Sequence, residues 1–96
     1  TQWKAMEEEI LTRLAAAVAA GEDPAGPEGE AVAALHAQWL AFVGDYTPEM
    51  RAGLARLYTA DERFSAYYDK AAPGAAAFLT AAILAQTEKG EETSKP

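Results

Sequence analysis

Residues 36–69 read HAQWLAFVGDYTPEMRAGLARLYTADERFSAYYD, and this stretch carries most of the large rings of the chain. It contains the only histidine, one of the two tryptophans, all four tyrosines and two of the three phenylalanines. Alanine supplies 24 of the 96 residues, and because it fills little volume, alanine-rich helices can approach closely. The rings of residues 36–69 therefore form either a packed core or a cleft that accepts an apolar ligand.

Helical spacing extends from this stretch in both directions. Apolar residues recur at intervals of three and four in five segments, which begin near residues 2, 28, 48, 62 and 73. Breaks rich in glycine and proline separate them, and no strand pattern competes. The sequence predicts an all-α fold of about five helices. Residues 88–96 are polar and are predicted to form a disordered tail behind a domain of residues 1–87.

Local signals predict several helix ends. Gly21 is suited to cap the C-terminus of the first helix, because glycine readily adopts the left-handed backbone conformation that such caps use. Thr47 followed by Pro48 predicts a helix start, with a hydroxyl cap and a proline in the first position. Either Asp61 or Thr59 is a candidate cap of the fourth helix. Pro73 is predicted to open the fifth, which frays after Gln86.

The charge of the chain excludes several classes of function. A formal net charge of −7 argues against direct contact with nucleic acid, which needs clustered lysine and arginine, and against anionic membranes. No apolar run approaches the roughly twenty residues of a membrane span. Without cysteine the chain has no disulfide and no thiol nucleophile. We expect a cytoplasmic protein.

The sequence does not predict catalysis, a metal or a cofactor. His36 has no second histidine or cysteine to share a metal ion with. Ser65, His36 and either Asp61 or Asp69 supply the residue types of a triad, but nothing places Ser65 on a strained turn. We interpret His36 as a hydrogen-bonded structural residue or as a polar group within a ligand cleft, and the protein as not an enzyme.

Taken in order, the motifs of residues 2–86 resemble the TipAS antibiotic-recognition domain, the C-terminal effector domain of MerR-type transcription activators. The resemblance rests on a histidine, an xEM helix start, a GLxxxY, a DxRF and a DxxxPG. In this chain these are His36, Glu49-Met50, Gly53-Leu54 with Tyr58, Asp61-Glu62-Arg63-Phe64, and Asp69 with Pro73-Gly74. No single element is specific to the family, but the ordered set is.

The resemblance implies a globin-like helical fold whose cleft binds bulky hydrophobic antibiotics such as thiopeptides, or albicidin in related resistance proteins. The DNA-binding half of such regulators is absent from this chain, and a homodimer is an option for a full-length protein. One member traps its drug with a cysteine in the turn before the xEM helix. Here that turn reads Gly44-Asp45-Tyr46-Thr47, so only noncovalent binding remains.

Two classes of function stay open from the sequence. In the first, the domain senses or sequesters a drug, with a cleft lined by His36, Trp39, Val43, Tyr46, Met50, Phe64, Tyr67 and Tyr68. In the second, the same rings form a flat patch that docks a protein partner or a second copy of the chain. A haem site is a residual option that rests only on His36 as an axial ligand.

Overall fold

The computed structural model describes the backbone of residues 2–94 and the side chains of residues 2–89. Over these residues the protein has five helices and no strand. They are α1 (Gln2–Ala19), α2 (Pro27–Ala41), α3 (Pro48–Ala60), α4 (Glu62–Asp69) and α5 (Ala75–Ser94). The prediction of an all-α fold with five helices is confirmed. Over the described residues, no helix combines the length and the apolar character needed to cross a membrane.

Helix α5 is the centre of the fold, because it packs against all four other helices and most extensively against α3. It buries Phe78, Leu79 and Ile83, which meet Leu14 of α1 and Val32 of α2 in the core. Alanines of α1, α2, α3 and α5 fill many of the other core positions, together with Ile10 and two tyrosines, Tyr58 and Tyr68. Burial of this apolar surface is the main favourable term in folding.

Helix ends follow the predicted local signals in several places. Gly21 takes a positive φ of 67°, with Gly21 N donating to Val18 O and Glu22 N to Ala17 O, which is a Schellman cap. The hydroxyl of Thr47 accepts from Met50 N at 3.2 Å, and Asp61 Oδ1 accepts from Arg63 N at 2.9 Å. Both side chains thus satisfy N–H groups that a helix start leaves unpaired.

Three boundaries differ from the prediction. Helix α2, which the apolar spacing predicts to run roughly from Glu28 to Val43, ends at Ala41 and leaves Val43 in the turn. Helix α5 begins at Ala75 instead of Pro73, because Asp69 Oδ1 accepts from Ala76 N at 3.0 Å and caps it there. It continues to Ser94 instead of fraying after Gln86. The division into a domain of residues 1–87 and a tail of residues 88–96 remains a prediction.

A buried hydroxyl ties α3 to α5. Thr80 Oγ1 donates to the carbonyl of Ala55 at 2.8 Å, and the small side chain of Ala55 lets the two helices come this close. Thr80→Val should lower the free energy of unfolding by about 1 kcal/mol, because it removes this bond without changing the size of the side chain.

Urea denaturation of the two proteins tests the Thr80→Val expectation. The matched control is Thr12→Val, since Thr12 Oγ1 also donates to a backbone carbonyl, that of Glu8 at 2.9 Å, but on an exposed face of α1. The control should change stability much less. Equal losses in both variants would contradict a specific role for the α3–α5 bond.

Candidate ligand-binding site

An aromatic cleft of about 690 Å³ opens between α1, α2, α3 and α4. Twelve described residues line it, of which seven carry aromatic rings and two carry a formal charge. The lining residues are Trp3 and Glu7 from α1, Trp39 and Leu40 from α2, Val43 and Tyr46 from the following turn, Leu54 and Tyr58 from α3, and Arg63, Phe64, Tyr67 and Tyr68 from α4.

Six of the eight residues predicted for the site lie together in this lining. They come from α2, the turn that follows it and α4, and are Trp39, Val43, Tyr46, Phe64, Tyr67 and Tyr68. The adjacent residues Tyr67 and Tyr68 both reach the cleft, with their rings edge to face and their centroids 5.0 Å apart. Their contact with a ligand stays a prediction.

His36 lies outside the lining, in the core behind Tyr58. Its side chain is fully buried, and its Nε2 is 2.9 Å from the hydroxyl of Tyr58. Burial, and to a smaller extent the charge of Arg51, lower the pKa of His36 to about 4. The imidazole is therefore neutral at pH 7. It holds the Tyr58 ring in place from behind, and Nε2 is not directed at a ligand in the cleft.

Met50 also lies outside the lining. It occupies the first turn of α3, where its side chain is 50 % exposed. Helix α3 is held against the rest of the domain by Ala55 and Tyr58, which lie further along it and are its two buried residues. The structure thus turns the start of α3 away from the cleft.

Six lining residues were not predicted from the sequence, and Trp3 and Glu7 matter most among them. Trp3 stacks on Trp39 with ring centroids 5.1 Å apart and an angle of 20° between the planes. The ring of Trp3 marks the start of the α1 stripe, and Glu7 lies four positions on, so both share one helix face. This spacing is a signal that could have identified Glu7. The signal is hidden because Glu7 begins the acidic run of residues 7–9, which is typical of a solvent-exposed helix face. The other four are Leu40, Leu54, Tyr58 and Arg63.

The rings on the α4 side form a continuous wall. Tyr58 contacts Phe64 and Tyr68 with centroids 5.7 and 4.8 Å apart, and Tyr68 contacts Tyr67. Such tilted and edge-to-face pairs are favoured by the ring quadrupoles. Burial raises the pKa of Tyr68 and, together with the carboxylate of Glu7, raises that of Tyr67 to about 12. The hydroxyls therefore stay protonated at neutral pH and can donate hydrogen bonds.

The site holds no arrangement suited to catalysis among the described residues. Ser65 Oγ donates to the carbonyl of Tyr58 at 2.8 Å, and His36 has Tyr58 as its partner, so the two do not form a nucleophile and base. No group of three histidine, cysteine or acidic residues in the described part of the chain could hold a metal ion. The arrangement can hold a ring-bearing apolar molecule without reacting with it.

The fold and the cleft define an all-helical, ligand-binding domain. In a comparison with known protein families, residues 1–86 match the TipAS antibiotic-recognition domain. The chain therefore belongs to this family, whose domain has a globin-like fold and is a non-catalytic domain that binds antibiotics. Searches of curated proteins and of solved structures found no match.

Proposed function

We propose that this chain binds a bulky hydrophobic antibiotic, similar to a thiopeptide or albicidin, noncovalently in the aromatic cleft. The observation that carries the proposal is a cleft of about 690 Å³ with seven rings in its lining. Sites for small molecules commonly span about 300–1,000 Å³ and are mostly apolar, with a few polar groups that orient the ligand. The cleft has both features.

The contacts available in the cleft are of two kinds. Ring faces offer stacking to aryl groups or planar heterocycles of the ligand. Tyrosine hydroxyls offer hydrogen bonds, and the indole Nε1 of Trp39 is buried without a hydrogen-bond partner among the described residues. An acceptor on the ligand that reached Nε1 would supply the missing bond. Since the chain has no cysteine, it cannot capture a drug through a thiol.

Two biological roles fit such binding. The domain acts as the drug-sensing effector part of a cytoplasmic, MerR-type regulator, homodimeric in its full-length form, or it sequesters the drug and so confers resistance. The net charge of −7 is compatible with both roles, because neither requires this domain itself to contact DNA. A reporter gene that responds to the same drug separates the regulator from the sequestering protein.

Tryptophan fluorescence tests the cleft directly, because both tryptophans of the chain line it. We expect one class within a panel of thiopeptides and albicidin-like aryl peptides to change the emission and raise the melting temperature. At a concentration one hundred times the dissociation constant, the ligand should stabilise the domain by about 2.7 kcal/mol. Tyr46→Ala should weaken binding at least about tenfold, because it removes a lining ring from a turn without opening the core.

Phe42→Ala is the matched control for Tyr46→Ala. Phe42 neighbours the same turn and carries a similar ring, but it is 53 % exposed and does not line the cleft. The control should bind like the original protein. If both variants lost the same affinity, or if no drug in the panel caused a response, the proposed binding mode would be wrong.

Phe42 also favours a second candidate function, an interaction module. It is exposed next to Val43, whose side chain is 61 % exposed, and it lines a separate hollow of about 320 Å³ with Met6, Gln38 and Ala41. A protein that dimerises in light-scattering measurements, loses the dimer in Phe42→Ala and ignores every drug would support this function instead.

A further inference from the structure

The two charged side chains of the cleft differ in how strongly their charge acts on a bound ligand. Among the described residues, Glu7 and Arg63 are the two charged residues of the lining. Arg63 already has a counterion, since its Nη2 is 2.9 Å from Asp61 Oδ2 and its Nε is 3.2 Å from Asp61 Oδ1. The Arg63 side chain is 87 % exposed, so water screens what remains of its charge. The arginine thus contributes little positive potential to the interior of the cleft.

Glu7 has no such counterion in the part of the chain that the structure describes. It is half-buried, and among the described residues its carboxylate accepts a hydrogen bond from the hydroxyl of Tyr67 but forms no ion pair with a lysine or arginine. A neutral donor leaves the negative charge in place. One uncompensated carboxylate therefore faces a cleft whose other walls are almost entirely apolar.

The rings add to the attraction of that carboxylate for positive charge. The face of an aromatic ring is the negative end of its quadrupole, and it attracts organic cations at distances up to about 6 Å. Indole is the strongest of the side chains in this respect, and the cleft has both Trp3 and Trp39. The chain as a whole, at a net charge of −7, also favours the approach of a cation.

We infer that the cleft selects lipophilic organic cations, in which a positive centre is surrounded by apolar rings, over anions of the same shape. This inference rests on the proposed function of the same cleft and narrows the chemical class of its ligand. The rings of the ligand fill the apolar volume, and its positive centre lies near Glu7. An anion of the same shape would face the same carboxylate without a compensating cation.

Tetraphenylphosphonium and tetraphenylborate provide the test, because they share size and shape but carry opposite charge. Their dissociation constants are measured by tryptophan fluorescence and by calorimetry for the original protein and for Glu7→Gln. Glu7→Gln should weaken phosphonium binding about tenfold and strengthen borate binding, since a nearby charge acts with opposite sign on the two ions. The two ions differ in hydration free energy. This difference cancels because the dissociation constant of each ion is compared only between the original protein and the variant.

Glu8→Gln is the control for net charge. Glu8 lies one position further along α1, is exposed and does not line the cleft, so this variant removes the same charge from the surface. It should leave the ratio of the two dissociation constants unchanged. An equal change of the ratio in Glu7→Gln and Glu8→Gln would mean that the overall field and not Glu7 sets the preference, and would overturn the inference.

The remaining outcomes separate this inference from the proposed function. If both ions bind and Tyr46→Ala weakens both, but Glu7→Gln leaves the ratio unchanged, the cleft binds hydrophobic ligands without selecting cations, and only the inference fails. The same holds if drugs of the panel bind and the phosphonium does not. If neither ion nor any drug binds, the proposed function fails and the inference with it.

Discussion

Gly29→Ala should lower the free energy of unfolding by about 3 kcal/mol or more, because the added methyl group has no room. Gly29 is the third residue of α2, and it lies beneath the turn that leads into this helix. A Cβ atom at this position would be 1.7 Å from the carbonyl oxygen of Pro24 and 2.4 Å from its carbonyl carbon. Both are backbone atoms, so either the turn or the start of α2 has to move.

Gly53→Ala is the matched control for this prediction. Gly53 lies within α3, and apart from the backbone of its own helix a Cβ atom built there has no described neighbour within 4 Å. The same substitution should therefore stabilise the domain by about 0.5–1 kcal/mol, since alanine loses less conformational entropy than glycine in a helix. Urea denaturation measures both variants. Similar small changes in the free energy of unfolding at the two positions would show that the backbone of Pro24 does not exclude a side chain at Gly29.

Stability should fall as the pH is lowered from about 7.5 to about 5, and part of this fall should come from His36. The unfolded chain takes up a proton on this imidazole near its ordinary pKa of 6.5, whereas the folded protein resists protonation until about pH 4. Stability due to the neutral, buried ring is therefore complete above pH 6.5 and is lost towards pH 4. Between pH 7.5 and pH 5, His36 alone should lower the free energy of unfolding by about 2 kcal/mol.

His36→Gln isolates this contribution. Glutamine can still form a hydrogen bond with Tyr58 but does not titrate, so the variant should be less stable at pH 7.5 and lose less stability on acidification. Carboxylates titrate in both proteins and cancel in the difference between their unfolding free energies. A difference that stayed constant across this pH range would contradict the burial of a neutral His36.

The helices were predictable from the sequence because their signals are local. Gly21, Thr47 and Asp61 act within three or four positions of themselves, and the structure shows each of them capping a helix. The start of α5 was misplaced because its cap, Asp69, acts across an intervening turn of the chain. The local sequence favours Pro73 as the first residue, because the fixed φ of proline suits the first turn of a helix. In the structure Pro73 lies outside α5.

The candidate site was only partly predictable, because its walls come from distant parts of the chain. The rings of residues 39–68 were expected in one cleft since they crowd one stretch of sequence. The stacking of Trp3 on Trp39 joins residues that no local pattern connects. His36 and Trp39 are on the same helix, yet the first is buried in the core and the second faces the cleft. Periodicity identifies an apolar face but does not divide it between core and cleft.

The cleft has an inner wall that belongs to the core and a rim that does not. Tyr58 and Tyr68 are both buried in the core while also lining the cleft. Val43 and Arg63 line it from exposed positions. In laboratory evolution, new ligand specificities should therefore arise by variation at the rim, where substitutions leave the fold intact. Selection at the tyrosines would first have to restore a folded protein, so a library that randomises them would consist mostly of inactive members.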